Sequence, residues 1–118
     1  FLHSSKVKLV SLQYGDVDHE IKKLLIDFGI KVIQVPEIDN MNDIDGLAAL
    51  ISACDEVVSI DNVTAHLAGS LGKQSKILLP SSCNWFWGQG QQNSYWYNSV
   101  HLYRQTKIGD WEHVIKQL

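Results

Sequence analysis

The sequence predicts an α/β protein of the Rossmann-like kind, with a parallel sheet between two layers of helices. Short runs of β-branched and apolar residues alternate with segments in which apolar residues recur at helical spacing. Glycine, proline or an acidic residue stands at the boundaries of most of these segments. The 118 residues are 45% hydrophobic and 19% charged, which is sufficient for a single domain with a core. Such alternation favours a three-layer α/β/α arrangement with right-handed crossovers.

The first half of the chain predicts two strands, each followed by a helix. Residues 7–12 are a first strand, and residues 31–35 are a second strand that ends at Pro36. The first helix ends at Gly29, with Asp16 or Asp18 as its cap and Asp18–Lys22 as a favourable pair. Its apolar face consists of Val17, Ile21, Leu24, Leu25 and Phe28. The second helix has Asp43 or Asp45 as its cap and the face Leu47, Leu50, Ile51 and Cys54.

The second half predicts three strands and two helices. The strands are residues 56–60, 76–79 and 100–103. A helix over residues 65–71 follows the first of them and stops at Gly72. A last helix begins after Asp110 and carries Trp111, Val114, Ile115 and Leu118 on one face.

Composition excludes several classes of function. A net charge of −3 and a pI near 5.9, without a basic cluster, argue against binding nucleic acid. No apolar run is long enough to cross a membrane. Cys54 and Cys83 are far apart and lack metal-ligand spacing, so we expect no metal and a reducing, cytoplasmic setting. Because the chain starts at Phe1 rather than Met, we expect a piece of a longer protein.

The segment from Glu56 to Pro80 predicts a strand, a polar turn, a short helix and a second strand. A helix that begins directly beyond a buried strand directs its free N–H groups over the end of the sheet, where a diphosphate can bind. His66 follows Asn62 by one helical turn, so both side chains can face such a ligand. The alternative is that Asp61 and Asn62 only cap the helix and that His66 is a structural or surface histidine.

Residues 81–98, called the aromatic loop below, connect the last two predicted strands. Loops of this length inside a domain are usually functional or ordered by packing. The loop carries Trp85, Phe86, Trp87, Tyr95, Trp96 and Tyr97. These rings could stack on a base or sugar, pack on the sheet, or pack against the rest of a longer protein. We expect Trp85 and Trp96 to pack and Phe86 and Trp87 to be candidates for the rim of a site. The remaining histidines, His3, His19, His101 and His113, are interpreted as surface or loop residues.

The motif SIDNVTAHLAGSLGKQSKILLP resembles the donor-binding motif of the heptosyltransferase-like glycosyltransferases of glycosyltransferase family 9. The version attached to tetratricopeptide-repeat proteins is the most similar. The resemblance extends over the whole chain through VKLVSLQYGD, NWFWG, SYWYNSV, LYRQ and GDW. A dinucleotide site of another Rossmann-like class is a weaker interpretation, since no G-x-G-x-x-G follows the first strand.

This resemblance implies the C-terminal, nucleotide-sugar-binding half of a GT-B glycosyltransferase. The implied partners are a nucleotide diphosphate-sugar, which is a substrate rather than a cofactor, and the N-terminal or repeat portion of a longer protein. That portion would hold the acceptor and the catalytic base, so the isolated domain is expected to be inactive. An isolated half would expose its cleft face, and self-association is therefore a further hypothesis.

Carried over residue by residue, the family pattern implies nine donor-binding positions in two groups. Asp61 and His66 match its D-x-x-x-x-H element, and the helix start between them would meet the diphosphate. Residues 13–15 would face the phosphates, and Glu37 would lie near the base and ribose. The positions are Gln13, Tyr14, Gly15, Glu37, Asp61, Asn62, Val63, Thr64 and His66.

Two departures from the family pattern each remove a cation from the implied site. Tyr14 stands where relatives often carry Lys, and Phe86 stands where they often carry Arg. A charge-assisted phosphate contact is worth roughly 1.5–3 kcal/mol. The alternative function is therefore a degenerate, non-catalytic binding or assembly module, unless Arg104 and Lys107 compensate. The nucleotide, the sugar and the acceptor are not indicated by the sequence.

Overall fold

The computed structural model describes residues 7–118, in which five strands alternate with four α-helices. The prediction for His3 lies outside these residues. In chain order the elements are β1 (Leu9–Val10), α1 (Asp18–Phe28), β2 (Val32–Ile33), α2 (Ile44–Ala53), β3 (Val57–Ile60), α3 (Val63–Ser70), β4 (Ser75–Leu79), β5 (Val100–Arg104) and α4 (Trp111–Ile115). A short 3₁₀ turn, Trp85–Trp87, lies between β4 and β5.

The strands pair in parallel, which confirms the α/β class. They form two sheets in the described residues: β1 pairs with β2, and β3, β4 and β5 form a sheet with β4 in the centre. The chain divides into a first unit that ends at Leu50 and a second unit, Ile51–Leu118. Each unit is described by itself below.

In the first unit, α1 ends at Gly29 as predicted. Gly29 has φ 66°, and its N–H donates to the carbonyls of the last helical turn. The start of α1 differs from the prediction: Val17 occupies the cap position without a side-chain bond, and Asp16 Oδ1 accepts from the N–H of Asp18 at 3.2 Å.

The predicted Asp18–Lys22 pair is wrong. Asp18 Oδ1 instead accepts from Gln34 Nε2 at 2.9 Å. Gln34 is 16 residues from Asp18 in sequence and lies outside the helix, so helical spacing could not indicate this contact. The ion pairs within residues 7–118 are Glu56–Lys76 and Glu112–Lys116.

The second helix is capped by Asp43, one of the two predicted caps. Asp43 Oδ1 accepts from the N–H of Gly46 at 2.8 Å. At its other end, Lys73 Nζ donates to the carbonyls of Ser52 and Cys54, so a cation lies at the negative end of the helix dipole. Cys54 is half-buried, and this burial raises the pKa of its thiol; nearby Lys73 opposes the effect and Asp55 adds to it.

The sheet of the second unit has one face that forms a core. Alternate residues of β4, Ser75, Ile77 and Leu79, are buried as the two-residue period of a strand requires. Ala65 of α3 packs against this face together with the side chain of Trp87 from the aromatic loop. The buried cluster consists of Ala65, Ile77, Leu79, Trp87, Val100 and Leu102.

The last predicted helix is confirmed but shorter than its sequence pattern. Asp110 Oδ1 accepts from the N–H of His113 at 3.1 Å, as expected of a cap. Val114 is fully buried, whereas Leu118 lies beyond the end of the helix at Ile115. Lys76 Nζ donates to the carbonyl of Leu118 at 3.3 Å, which attaches the chain end to β4.

Candidate functional site

The candidate site of the second unit lies at the carboxyl edge of its three-stranded sheet. Ile60 pairs with Leu78, and Leu79 pairs with Arg104. Because the strands are parallel, the segments that follow β3, β4 and β5 leave the sheet at the same edge. The helix start after β3 and the aromatic loop after β4 therefore meet there.

Asn62 begins α3 at this edge. Its Oδ1 accepts from the N–H of Ala65 at 3.2 Å and from Ser59 Oγ at 3.0 Å, so the cap is fixed from both sides. The first two N–H groups of the helix, on Val63 and Thr64, have no acceptor within the helix by its geometry. Val63 is exposed, and the side chain of Thr64 is buried. Backbone N–H donors therefore lie at the helix start, whereas the hydroxyl-bearing side chain of Thr64 is buried.

Asp61 holds the aromatic loop. One carboxylate oxygen accepts from Trp87 Nε1 at 2.8 Å and the other accepts from Asn84 Nδ2 at 2.6 Å. Both donors lie in the aromatic loop, more than twenty residues along the chain. Each oxygen of Asp61 already accepts one hydrogen bond. A ligand at Asp61 would therefore use the remaining lone pairs of the carboxylate.

His66 lies in an aromatic enclosure one turn into α3. Its ring stacks on Trp87 with centroids 4.8 Å apart and planes 20° apart. Phe86 and Tyr97 approach edge-on, with centroids at 5.0 Å and 5.9 Å. Its Nδ1 lies 3.1 Å from the hydroxyl of Tyr97. One face of the imidazole is therefore covered by Trp87, and two further aromatic rings contact it edge-on.

The rim position predicted for Trp87 is wrong, and Trp85 and Trp96 do not pack on the sheet of the second unit. Trp87, a candidate for the rim, is fully buried, whereas Trp85 and Trp96, which were expected to pack, are 81% and 62% exposed. The 3₁₀ turn directs only one of its three side chains fully into the core, and Trp87 is the one whose N–H reaches an acceptor, Asp61. The N–H of Trp96 donates to the carbonyl of Phe86 at the surface.

Arg104 binds the aromatic loop, so it is not a free cation beside the site. Its guanidinium donates to the carbonyls of Trp87 and Gln91, and its Nη1 lies 2.8 Å from Cys83 Sγ. Residues of the loop and of β5 thus shape the site although the sequence pattern did not select them. Three of these residues, Asn84, Tyr97 and Arg104, are not among the nine candidate positions. All three belong to motifs that carry the resemblance, but no spacing rule indicates their partners.

The other four candidate residues belong to the first unit, in the segments that follow β1 and β2. Gln13, Tyr14, Gly15 and Glu37 are all exposed, and Gly15 adopts φ 84°. The carbonyl of Gln13 accepts from Asn40 Nδ2 at 3.0 Å, which joins the two segments. Four of the nine positions thus lie in the first unit and five in the second.

The segment after β2 contains a carboxylate with a lowered pKa. Asp39 accepts from the side chain of Asn42 and from the N–H groups of Met41 and Asn42, and these bonds lower its pKa. The network forms a turn, and Asp39 is fully solvent-accessible. We therefore assign it a structural role.

Residues 7–118 contain no group of three or more His, Cys, Asp or Glu side chains placed to hold a metal ion. No helix in this part of the chain is long and apolar enough to cross a membrane. An open depression of about 530 Å³ lies beside the end of α3, and none of the nine candidate residues lines it. Its lining is Gly69, Ser70, Gly72, Gln74, Trp96, Tyr97, Asn98 and Ser99.

The chain is similar in sequence to part of a bacterial protein. The protein FlbA of Caulobacter vibrioides is 36% identical over 112 residues. The match covers 94% of this chain but 18% of FlbA, so the chain is similar to a segment of a much longer protein. No family model matches the chain, and no solved structure matches it.

Proposed function

We propose that this domain binds the diphosphate of a nucleotide diphosphate-sugar and serves as the donor-binding part of a glycosyltransferase. One observation carries the proposal: α3 begins at the carboxyl edge of a parallel sheet, is capped by Asn62, and holds His66 one turn later. The edge beyond the carboxyl ends of the strands is where sheets of this class bind ligands. The motif that places these residues is the one that resembles glycosyltransferase family 9.

The helix start supplies the chemistry that a diphosphate needs. Backbone N–H groups of Val63 and Thr64 point along the axis of α3 and coincide with the positive end of its dipole. Such a terminus binds phosphate without a metal ion. In a transfer reaction the same donors would stabilise the nucleoside diphosphate as it leaves the sugar.

The rest of the reaction is assigned to chain outside this domain. Transfer requires an acceptor and a base, and we propose that both are supplied by the N-terminal or repeat portion of a longer protein. The length of FlbA, of which this chain matches 18%, is compatible with such an arrangement. The first-unit positions Gln13, Tyr14, Gly15 and Glu37 remain proposed donor contacts on the resemblance alone.

A second candidate function is a non-catalytic binding or assembly module. It is favoured because protein groups already contact the polar side chains of the site. Asp61 is bound by Trp87 and Asn84, and one face of His66 is covered by Trp87. The guanidinium of Arg104 is bound to loop carbonyls and so does not supply the missing cations. Because all of these contacts are made within the protein, the fold at this edge would persist in a module that no longer binds a ligand.

A titration with nucleotides separates the two candidates. Isothermal calorimetry and thermal unfolding would be recorded with UDP, GDP, ADP and CMP, with and without Mg²⁺. Saturable binding of one nucleotide without metal is expected, and ligand at one hundred times its dissociation constant adds about 2.7 kcal/mol of stability. His66→Ala should weaken that binding roughly fivefold to tenfold. The matched control is His101→Ala, since His101 is an exposed histidine of β5.

Two outcomes would contradict donor binding. One is the absence of binding by any of the four nucleotides in both this domain and the full-length protein, which would favour the assembly module. The other is equal weakening by His66→Ala and His101→Ala, which would place the ligand elsewhere.

A further inference from the structure

Tyr97 is held in one position beside His66. Its ring lies on Gly69 of α3 so closely that a Cβ at Gly69 would stand 2.5 Å from Tyr97 Cγ. Its N–H donates to Ser94 Oγ at 3.3 Å, and Ser94 is itself 8% exposed. The ring also packs against the core cluster. The position of the Tyr97 hydroxyl is therefore set by the fold and not by a flexible loop.

This hydroxyl meets a particular nitrogen of His66. The oxygen lies 3.1 Å from Nδ1. In a neutral imidazole one nitrogen carries the proton and the other accepts. A phenol is a better donor than acceptor, and an imidazole nitrogen is a good acceptor, so the favourable arrangement has Tyr97 donating to Nδ1. The bond made by one ring nitrogen decides the protonation of the other.

We propose that Tyr97 is a positioning residue that holds neutral His66 in the tautomer with its proton on Nε2. The use of that proton rests on the proposed function: Nε2–H would donate to an oxygen of the nucleotide diphosphate-sugar. In the opposite tautomer Nε2 would present a lone pair to an anionic oxygen, which repels it. Tyr97 thereby determines whether His66 attracts or repels such a ligand.

Among the described residues, the hydrogen bond of the His66 ring is made at Nδ1, to the Tyr97 hydroxyl, which leaves Nε2 as the nitrogen for a ligand. Trp87 stacks on the imidazole, Phe86 approaches edge-on, and Tyr97 occupies Nδ1. Rotation that exchanges the two nitrogens would break the Nδ1 bond to Tyr97, so this bond favours one orientation of the ring. A fixed donor loses less entropy when it binds than a mobile one does.

The tautomer can be measured without any ligand. Two-bond ¹H–¹⁵N spectra of the imidazole nitrogens, recorded at alkaline pH, should show His66 as one species protonated at Nε2. Tyr97→Phe keeps the ring and removes the hydroxyl, so its spectrum should show the Nδ1 resonance shifted towards that of an unbonded nitrogen. Tyr95→Phe is the matched control, since Tyr95 lies in the same loop and is 78% exposed. A wild-type ring protonated at Nδ1, or a spectrum that Tyr97→Phe leaves unchanged, would overturn the proposal.

A pair of substitutions tests which nitrogen faces the ligand. The side-chain amide of His66→Gln places a donor near Nε2, whereas that of His66→Asn places it near Nδ1. With the nucleotide that the wild type binds, we expect Gln to retain binding and Asn to lose it by roughly fivefold, and Tyr97→Phe to weaken it about twofold to fivefold. Equal loss with Gln and Asn would contradict the use of Nε2. If no nucleotide binds the wild type, the proposed function fails, while the tautomer spectrum still decides the role of Tyr97.

Discussion

Asp61 connects the start of α3 to the aromatic loop. Its two oxygens bind Trp87 Nε1 and Asn84 Nδ2. Asp61 was predicted to lie at the helix start, either as a cap or as a donor-binding residue. Asn62 caps the helix instead. Its partner, the N–H of Ala65, is three residues along the chain and is indicated by local spacing. The partners of Asp61 are distant in sequence, so spacing could not indicate them.

We predict that Asp61→Ala destabilises the domain by about 1–3 kcal/mol. The reason is that the indole N–H of Trp87, a residue that is fully buried, would lose its acceptor. Urea unfolding followed by tryptophan fluorescence would measure the change. Asp55→Ala is the control, because Asp55 is exposed, and it should shift stability by no more than about 0.5 kcal/mol. Equal stability of the Asp61 variant and the wild type would contradict the anchoring role.

Asp61→Asn keeps an acceptor for Trp87 and removes the charge. It should therefore retain most of the stability that Asp61→Ala loses. This pair matters for any binding experiment, since a loss of nucleotide binding in Asp61→Ala can follow from a displaced loop rather than from a lost ligand contact.

Cys54 provides a test that depends on pH. Burial raises the pKa of this thiol in the folded state, with opposition from Lys73 and a contribution from Asp55. A raised folded pKa contributes stability that is fully present below the unfolded pKa and is lost as the pH rises through the folded value. In a Cys83→Ser background, iodoacetamide should alkylate Cys54 more slowly in the folded protein than in urea at the same mildly alkaline pH, because less thiolate is present. Equal rates at matched reagent activity would show that the folded environment does not protect the thiol.

The elements of the chain were predicted to different degrees. The helices follow from apolar spacing together with local boundary residues such as Gly29, Asp43 and Asp110, and all four are present. The first two strands are only two residues long, since apolar runs indicate extended backbone but not how much of it finds a partner. The aromatic loop was recognised, but the inward and outward directions of its rings depend on bonds to distant elements.

At the scale of elements, we predict that the loop depends on β5 through Arg104. Arg104→Leu would leave the carbonyls of Trp87 and Gln91 without their charged donor. Bonds to a charged group are worth about 1.5–3 kcal/mol, so we expect destabilisation of that size. We also expect faster proteolysis within residues 81–98, measured by limited digestion and mass spectrometry. Lys107→Leu, at an exposed cation after the same strand, is the control; the same cleavage rate in both variants would contradict the prediction.

For the whole molecule, the parallel α/β class was predictable and is confirmed, but a single sheet was expected and the described residues form two. The sequence patterns of strands and helices indicate each element separately. The pairing of strands depends on contacts between residues far apart in sequence, which these patterns do not indicate. The same limit applies to the candidate site. The sequence could indicate the helix start with Asn62 and His66, and it could not indicate that Trp87 and Tyr97 enclose the imidazole.

The most direct test of donor binding is to observe the backbone amides at the start of α3 during a nucleotide titration. Two-dimensional ¹H–¹⁵N spectra would be recorded while UDP, GDP, ADP or CMP is added without metal. The account predicts saturable shifts of the Val63 and Thr64 amides with one nucleotide, because these N–H groups bind the diphosphate, and smaller shifts in His66→Ala. Saturable shifts confined to other residues, or none at these two amides in either this domain or the full-length protein, would contradict it.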